Sequence, residues 1–212
     1  MKSYGGRLDG CEGRRFHLFR HQIPQDLAPI LDPMVDLIEA LTQQIRAYER
    51  DMEKVLAQAY PEENAIFRQI RGVGPKTALC FIAIVGDPDR FDSGRKFAGY
   101  LGLGQKRHQS GSKDPHLPIS KAGVPLLRAL LVGTAQKMLD HRAPDSALRD
   151  WAIRRRDGQT QTQKNRIKVG LAREIAVLMR HLLKTRQDFR PYPNGGGPDP
   201  DAELEMKCEP IA

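Results

Sequence analysis

The sequence predicts a mainly α fold, a long N-terminal coiled-coil arm followed by a compact helical domain with a helix-hairpin-helix-like element. Two patterns predict it. From Leu27 the apolar positions run Leu31, Met34, Ile38, Leu41, Ile45, Tyr48, Met52 and Val55, stepping mainly by four and three, as in the seam of a coiled coil or a long helical hairpin arm. Further on, Arg71-Gly72-Val73-Gly74-Pro75-Lys76-Thr77-Ala78 joins two helical stretches through a tight glycine turn.

Residues 1–22 carry Arg14, Arg15, His17, Arg20 and His21 among glycines without a clear period, and read as a basic arm. The coiled-coil helix is assigned to 23–61. Pro29 and Pro33 lie at its beginning, so the regular helix is expected to start near Pro33, where a proline costs little in a first turn. Tyr60-Pro61 breaks it. The stripe fits a dimerisation seam and equally fits packing against later helices of the same chain. A short helix over 62–70 then enters the glycine turn, and an apolar helix leaves it through Val85. Residues 86–92 form a loop, and Ser93 is placed as the N-cap of a helix reaching Tyr100 and Leu101. Residues 102–121, rich in Gly, Ser, Pro and Lys, read as a loop with room for a short hairpin around Asp114-Pro115. Helices over 124–140, 146–156 and 166–184 complete a helical domain at 62–190, and 191–212, with Asn194-Gly195-Gly196-Gly197-Pro198, is expected to be a disordered tail.

At 212 residues with 40% hydrophobic content, the chain builds one real core and has little room for two enzyme domains. Its 34 Lys and Arg against 26 Asp and Glu give a net charge of +8, which favours a polyanionic partner but also describes a merely soluble basic surface. Cys11, Cys80 and Cys208 are odd in number and far apart, without the spacing of a zinc site or a disulfide framework. The six His residues show no metal-ligand spacing either, so no metal is assigned. No segment has the uninterrupted apolar run of a signal peptide or membrane span, and a cytoplasmic location without membrane attachment is expected.

Three constellations bear on chemistry. At Gly72 and Gly74 the absence of side chains lets helices meet closely and leaves N–H groups uncovered at the second helix's start, which with Lys76 and Thr77 suits a phosphate. Simple close packing explains the same glycines. The second is Gln105-Lys106-Arg107-His108-Gln109-Ser110-Gly111-Ser112-Lys113, continuing to Ile119-Ser120-Lys121-Ala122-Gly123, where serine hydroxyls stand beside cations able to stabilise phosphoryl charge. A Ser-Gly turn or a plain phosphate contact accounts for it too. The third comprises Arg154, Arg155 and Arg156, followed by Lys164, Arg166, Lys168, Arg173, Arg180, Lys184 and Arg186, cations of which several recur on neighbouring turns and which fit phosphate contact or a solvated helix face.

The ordered set Gly72-Val73-Gly74-Pro75, Thr77-Ala78, Gly86-Asp87-Pro88, Arg90-Phe91, Tyr100-Leu101-Gly102-Leu103, Ser110-Gly111 and Ile119-Ser120-Lys121 with Gly123 resembles the insertion-sequence transposases of the 110/116/902 group. Distinct motifs cover about residues 66–139, and the flanking helices are similar more loosely. The resemblance implies a two-part enzyme: an N-terminal nuclease-like domain whose acidic set binds magnesium, and a C-terminal domain supplying a nucleophilic serine. It also implies DNA recombination through a serine-linked strand, guided by a structured RNA. By motif, Ser110 is carried over as nucleophile, with Ser120 as the alternative, whose helix-entry position before Lys121 and Gly123 fits a cap equally well. Gly72, Gly74, Lys76, Thr77, Lys106, Arg107, Lys113, Lys121, Arg154, Arg155 and Arg156 are carried as nucleic-acid contacts.

Ser112 stands where the group often has glycine, and the residues before Leu27 lack strand-borne carboxylates for a metal nuclease. The expectation is a truncated or separately encoded C-terminal half that binds no cofactor itself and is inactive alone, with magnesium belonging to the missing half. The alternative is a non-catalytic remnant or regulator that joins an intact transposase through its coiled coil. A third reading is a structural adaptor unconnected with DNA, in which the seam is the function and the charge incidental; the order of the motifs argues against it.

Overall fold

A computed structural model describes residues 23, 25–106 and 118–193. The described residues form seven α-helices, α1 (Ala28–Ala59), α2 (Pro61–Arg68), α3 (Pro75–Val85), α4 (Gly94–Tyr100), α5 (Pro125–Met138), α6 (Ala147–Arg156) and α7 (Gln161–Thr185), with a 3-10 turn at Pro88–Arg90. Among these residues there is no strand, only an isolated antiparallel bridge between Gln105 and Ile119. The mainly α expectation is met.

The chain divides into two compact units, Met1–Val55 and Leu56–Ala212. In the first, α1 begins at Ala28 rather than near Pro33, and Pro33 sits inside the helix. Pro33 lacks only the N–H that would reach the Pro29 carbonyl, and the turn is already nucleated by N–H groups of Ile30 and Leu31 donated to the Leu27 carbonyl. Along the predicted seam, Met34, Leu41, Ile45, Tyr48 and Val55 are exposed, and so are Ile30 and Leu37 beside it.

The second unit is built around α7. Leu171, Ala172, Ile175, Ala176, Met179, Leu182 and Leu183 are all buried, an apolar face wider than an ordinary surface helix presents. Against it pack α2, α4, α5, α6 and the 3-10 turn. Aromatic rings fill the space beyond: Phe67 meets Phe81 edge-on at 5.4 Å, Phe81 meets Phe97 at 5.9 Å, and Phe97 meets Phe91 at 5.0 Å. Such edge contacts contribute about 0.5–1.5 kcal/mol each beyond burial itself. Arg180, 9% exposed, donates from Nε to the Pro88 carbonyl at 3.2 Å and from Nη2 to the Phe91 carbonyl, which fixes the 3-10 turn to α7.

Local chemistry sets the ends. Ser93 accepts from the Lys96 N–H, as the sequence predicts, and Ser146 accepts from the Arg149 N–H. Pro61, Pro75 and Pro125 open α2, α3 and α5 where a missing N–H is harmless. α7 starts five residues before the predicted 166, because Thr160 and Gln163 form a reciprocal capping box. It ends at Arg186, which turns left-handed at φ 55° and pairs with Glu63 at 2.6 Å. Burial pushes the Glu63 carboxyl up, but the Arg186 hydrogen bond, its own N–H and the Arg186 charge together hold it below its usual range.

Pro191 and Tyr192, assigned by sequence to the tail, are tied to α6. The Ala147 N–H donates to the Pro191 carbonyl at 3.0 Å, and the Tyr192 hydroxyl donates to Asp150 Oδ2 at 2.8 Å. Desolvation, the hydrogen bond and the Asp150 charge push the Tyr192 phenol up to about 12. A raised folded pKa means that the contribution to stability is complete below the ordinary phenol value of about 10. It is lost as pH climbs through the folded value. Asp150→Asn is therefore expected to bring one tyrosine ionisation back toward 10 in an ultraviolet absorbance titration; an unchanged profile would mean that the Asp150 charge does not hold the phenol.

Candidate nucleic-acid interface

The sequence-predicted glycine turn lies between α2 and α3, and its glycines do different jobs. Gly72 has φ 91°, and a Cβ built there would stand 2.9 Å from the Thr134 carbonyl oxygen and 3.0 Å from Lys137 Cβ on α5. Only a residue without a side chain allows the turn to come this close to α5. The single proton of Thr134 Oγ1 is shared between the Leu130 carbonyl within α5 at 3.0 Å and the Gly72 carbonyl at 3.3 Å, so the turn lies in polar contact with that helix. Gly74 is the extended N-cap of α3 and has open space on its Cβ side. Lys76 is exposed in the first turn of α3. Thr77, carried as a phosphate contact, is 5% exposed and belongs to the buried face of α3 with Ala78 and Phe81. The packing explanation thus covers Gly72 and Thr77, and Gly74 and Lys76 keep an open side.

The serine-bearing loop is described at both ends. Ser110, Arg107 and Lys113 lie outside the described residues. The stretches that bracket them, 101–106 and 118–123, are joined by the Lys106 N–H donated to the Pro118 carbonyl at 3.0 Å, Ser120 N–H to Gly104 at 2.8 Å, and Lys121 N–H to Gly102 at 3.1 Å. The fit is close enough that a Cβ on Gly102 would lie 2.7 Å from the Ala122 and Gly123 nitrogens. Lys121 takes φ 56° to make the turn, a conformation uncommon for a residue with a side chain.

Arg128, one turn into α5, anchors this pair of stretches. Its Nη1 donates to the Leu101 carbonyl at 3.3 Å and to the Gly123 carbonyl at 3.2 Å, one acceptor on each side. Sequence reasoning passed over Arg128, because a single arginine in a leucine-rich helix carries no local signal. Ser120 is not a helix cap. α5 takes Val124 as its N-cap, and the Ser120 hydroxyl instead accepts from the Ala122 N–H at 3.5 Å, closing its own turn. Lys106 and Lys121 are exposed at the foot of the paired stretches.

Arg154, Arg155 and Arg156 form the last turn of α6, where cations complement the helix dipole. Arg155 lies over the Trp151 ring at 4.6 Å, so one face of that indole is already occupied within the chain. Trp151 packs against the core, as its place on an apolar helix face predicts. Among the described residues, no group of three or more His, Cys, Asp or Glu side chains is placed to hold a metal ion. No helix there is long and apolar enough to cross a membrane.

Residues 64–149, from α2 into α6, match the family model described as Transposase IS116/IS110/IS902 family. The chain is 34% identical over 146 residues to a transposase for insertion sequence element IS1111A from Coxiella burnetii, covering 68% of this chain and 38% of that protein. A probable family 20 transposase from Pseudomonas aeruginosa is 29% identical over 170 residues, covering 77% of this chain and 49% of the relative. A putative transposase y4rJ from Sinorhizobium fredii is 32% identical over 169 residues, 74% of this chain and 42% of the relative. The chain therefore spans less than half the length of each of these relatives.

The approach of the turn to α5 has a measurable consequence. Gly72→Ala forces a Cβ into the Thr134 carbonyl from a left-handed backbone, and a loss of about 1–3 kcal/mol is expected in thermal or urea unfolding. An unchanged midpoint would show that α5 can retreat from the turn without cost.

Proposed function

The chain belongs to the IS116/IS110/IS902 transposase family, and from that premise we propose that it holds DNA and contributes Ser110 to strand cleavage and transfer during transposition. The observation that supports this reading is the paired foot of the Ser110 loop. Its two ends are joined by backbone hydrogen bonds and fixed to α5 by Arg128, so the stretches from which the Ser110 segment departs and to which it returns are held together.

In the proposed step the Ser110 hydroxyl oxygen forms a bond to a DNA phosphorus while one phosphorus–oxygen bond to a sugar breaks. The serine proton leaves, the departing sugar oxygen takes one up, and the strand is held as a serine ester. Attack on that ester by a sugar hydroxyl of a second strand reverses the exchange and frees the serine. Lys106 and Lys121 supply positive charge near the foot of the loop, where phosphoryl oxygens need it. The magnesium implied by the resemblance does not fit the described residues, which hold no carboxylate cluster for it. No step is routed through it; we assign it, with a structured guide RNA, to the remainder of a complete recombination complex.

The exposed stripe of α1 supports self-association as a second component of the proposal. Met34, Leu41, Ile45 and Tyr48 lie along one seam and are more than half exposed, and a second copy of the same helix would cover them at heptad spacing. The binding-only alternative, association with an intact transposase, uses the same stripe.

Two experiments test these readings. On element-end DNA, with guide RNA and the acidic domain of a full-length family member supplied, the chain is expected to yield a covalent protein–DNA product that Ser110→Ala abolishes while binding persists. Product formed equally by the mutant would remove Ser110 from the chemistry, and loss of binding alone would make the loop a phosphate cradle. In sedimentation, the parent chain is expected to self-associate and Leu41→Asp with Ile45→Asp to run as the monomer; identical profiles would reject the seam.

A further inference from the structure

Beyond the cations singled out from sequence, the fold gathers a group from two separate elements. Lys137 lies at the end of α5, with His141 and Arg142 just beyond it, and Arg71 stands beside Gly72 in the α2–α3 turn. All four side chains are exposed. Their proximity follows from the packing already described: a Cβ built on Gly72 would stand 3.0 Å from Lys137 Cβ, and Thr134 Oγ1 lies 3.3 Å from the Gly72 carbonyl. Asp140 is the acid set among them. Its Oδ1 accepts from the Arg142 N–H at 2.9 Å and lies 3.4 Å from His141 Nδ1. The Arg142 N–H first, then the charges of His141, Arg142 and Arg71, hold that carboxyl below its usual range, which places Arg71 within electrostatic reach of the α5 end.

We propose that Arg71, Lys137, His141 and Arg142 form a composite grip on the sugar–phosphate backbone of duplex DNA, assembled where the end of α5 meets the α2–α3 turn. Cations after a helix C-terminus are favourable in themselves, since they face the negative end of the dipole, and that explains Lys137 and Arg142 singly. It does not explain Arg71, which comes from another element and, while its charge acts favourably on Asp140, adds a further cation to those already at the α5 end. Arg71 and Arg142 act on the one Asp140 carboxylate and Lys137 stands three residues before it, an excess of permanent positive charge that polyanion binding discharges. The grip carries no base-reading geometry: charges around a backbone turn position a duplex without specifying its sequence. The inference rests on the DNA-binding part of the proposed function and assigns that part to a surface.

The test is fluorescence anisotropy of the full chain on a short random-sequence duplex across a salt series. Arg71→Gln, Lys137→Gln and Arg142→Gln are combined in one variant. A second variant, Arg46→Gln, Arg50→Gln and Lys54→Gln on α1, removes the same charge elsewhere. Each lost phosphate contact reduces the slope of log affinity against log salt by about 0.9, so the first variant is expected to lose about 2–3 in slope and at least about tenfold in affinity near 0.1 M salt, and the second little of either. If the triple variant does not fold, Lys137→Gln alone carries the test, with a slope loss of about 0.9 expected.

Equal slopes for parent and patch variant would overturn the grip and leave DNA binding by the chain intact. The same loss in the α1 variant would reduce the effect to net charge and overturn it as well. A loss seen on single-stranded RNA but not on the duplex would overturn it in favour of the guide. A parent chain without salt-dependent duplex binding would overturn both this assignment and the DNA-binding reading beneath it.

Discussion

The apolar face of α7 is the surface on which the second unit is organised, and Arg180 is, with Glu174, one of two buried charged side chains that this helix carries. A guanidinium does not give up its charge, so a nearly buried one must find acceptors. Arg180 finds them in the carbonyls of Pro88 and Phe91, at the end of a 3-10 turn that has no regular helix to satisfy those groups. The arrangement resolves two unsatisfied sets at once. It also fixes Phe91 against Phe97 and Tyr100, with the Arg90 guanidinium 4.6 Å and 4.7 Å from the Phe91 and Tyr100 rings. From there α4 is set, and the stretch that follows α4 is the first half of the paired foot beneath the Ser110 segment.

The motif positions and the packing are therefore one network. Gly72 lets the α2–α3 turn sit on α5, and α5 carries Arg128 near one end and Lys137 near the other. One end fastens the two stretches that bracket the serine loop. The other places cations beside the glycine turn. A helix bearing both sets keeps the paired stretches and the cations beside the glycine turn at a fixed separation, because buried Leu127, Leu131, Ala135 and Met138 hold it in the core. Rigid elements position chemistry better than loops do, and here a loop is given rigid ends.

How much of this was legible in the sequence depends on the range of the interaction concerned. Ser93 is a local signal and caps α4 as placed, and the helices expected from 62, 124 and 146 begin within a residue of those positions. Thr160 and Gln163 were equally local, but the glutamine-rich run around them hid the capping box and put the start of α7 too late. Pro33 misled in the same direction, because a proline near a helix start removes one bond without preventing the helix from beginning before it. The glycine turn was legible as a turn, though not the reason for Gly72, whose constraint is a carbonyl more than sixty residues away on α5. Arg128 and the Arg71–Arg142 group share that character: each is defined by partners on another element, and no spacing in the chain announces them.

Separating positions in sequence while joining them in space also separates what they contribute. Phosphate contacts at a backbone turn add affinity that is uniform along a duplex, whereas a serine nucleophile contributes only where one phosphorus lies in line with it. A surface that bound too specifically through the glycine turn would fix the DNA register independently of whatever selects the site of exchange. Exposed Arg71, Lys137 and Arg142, without a base-reading element beside them, allow the duplex to shift along its axis while remaining held. Under the proposed function, sequence choice then falls to a pairing RNA, and the role left for this fold is to keep the strand close and the serine loop anchored. That division puts a constraint wherever the parts join: Gly72, Gly102 and Lys121 are among the residues held at positive φ, and the cations beside or at them, Arg71 and Lys121, are exposed.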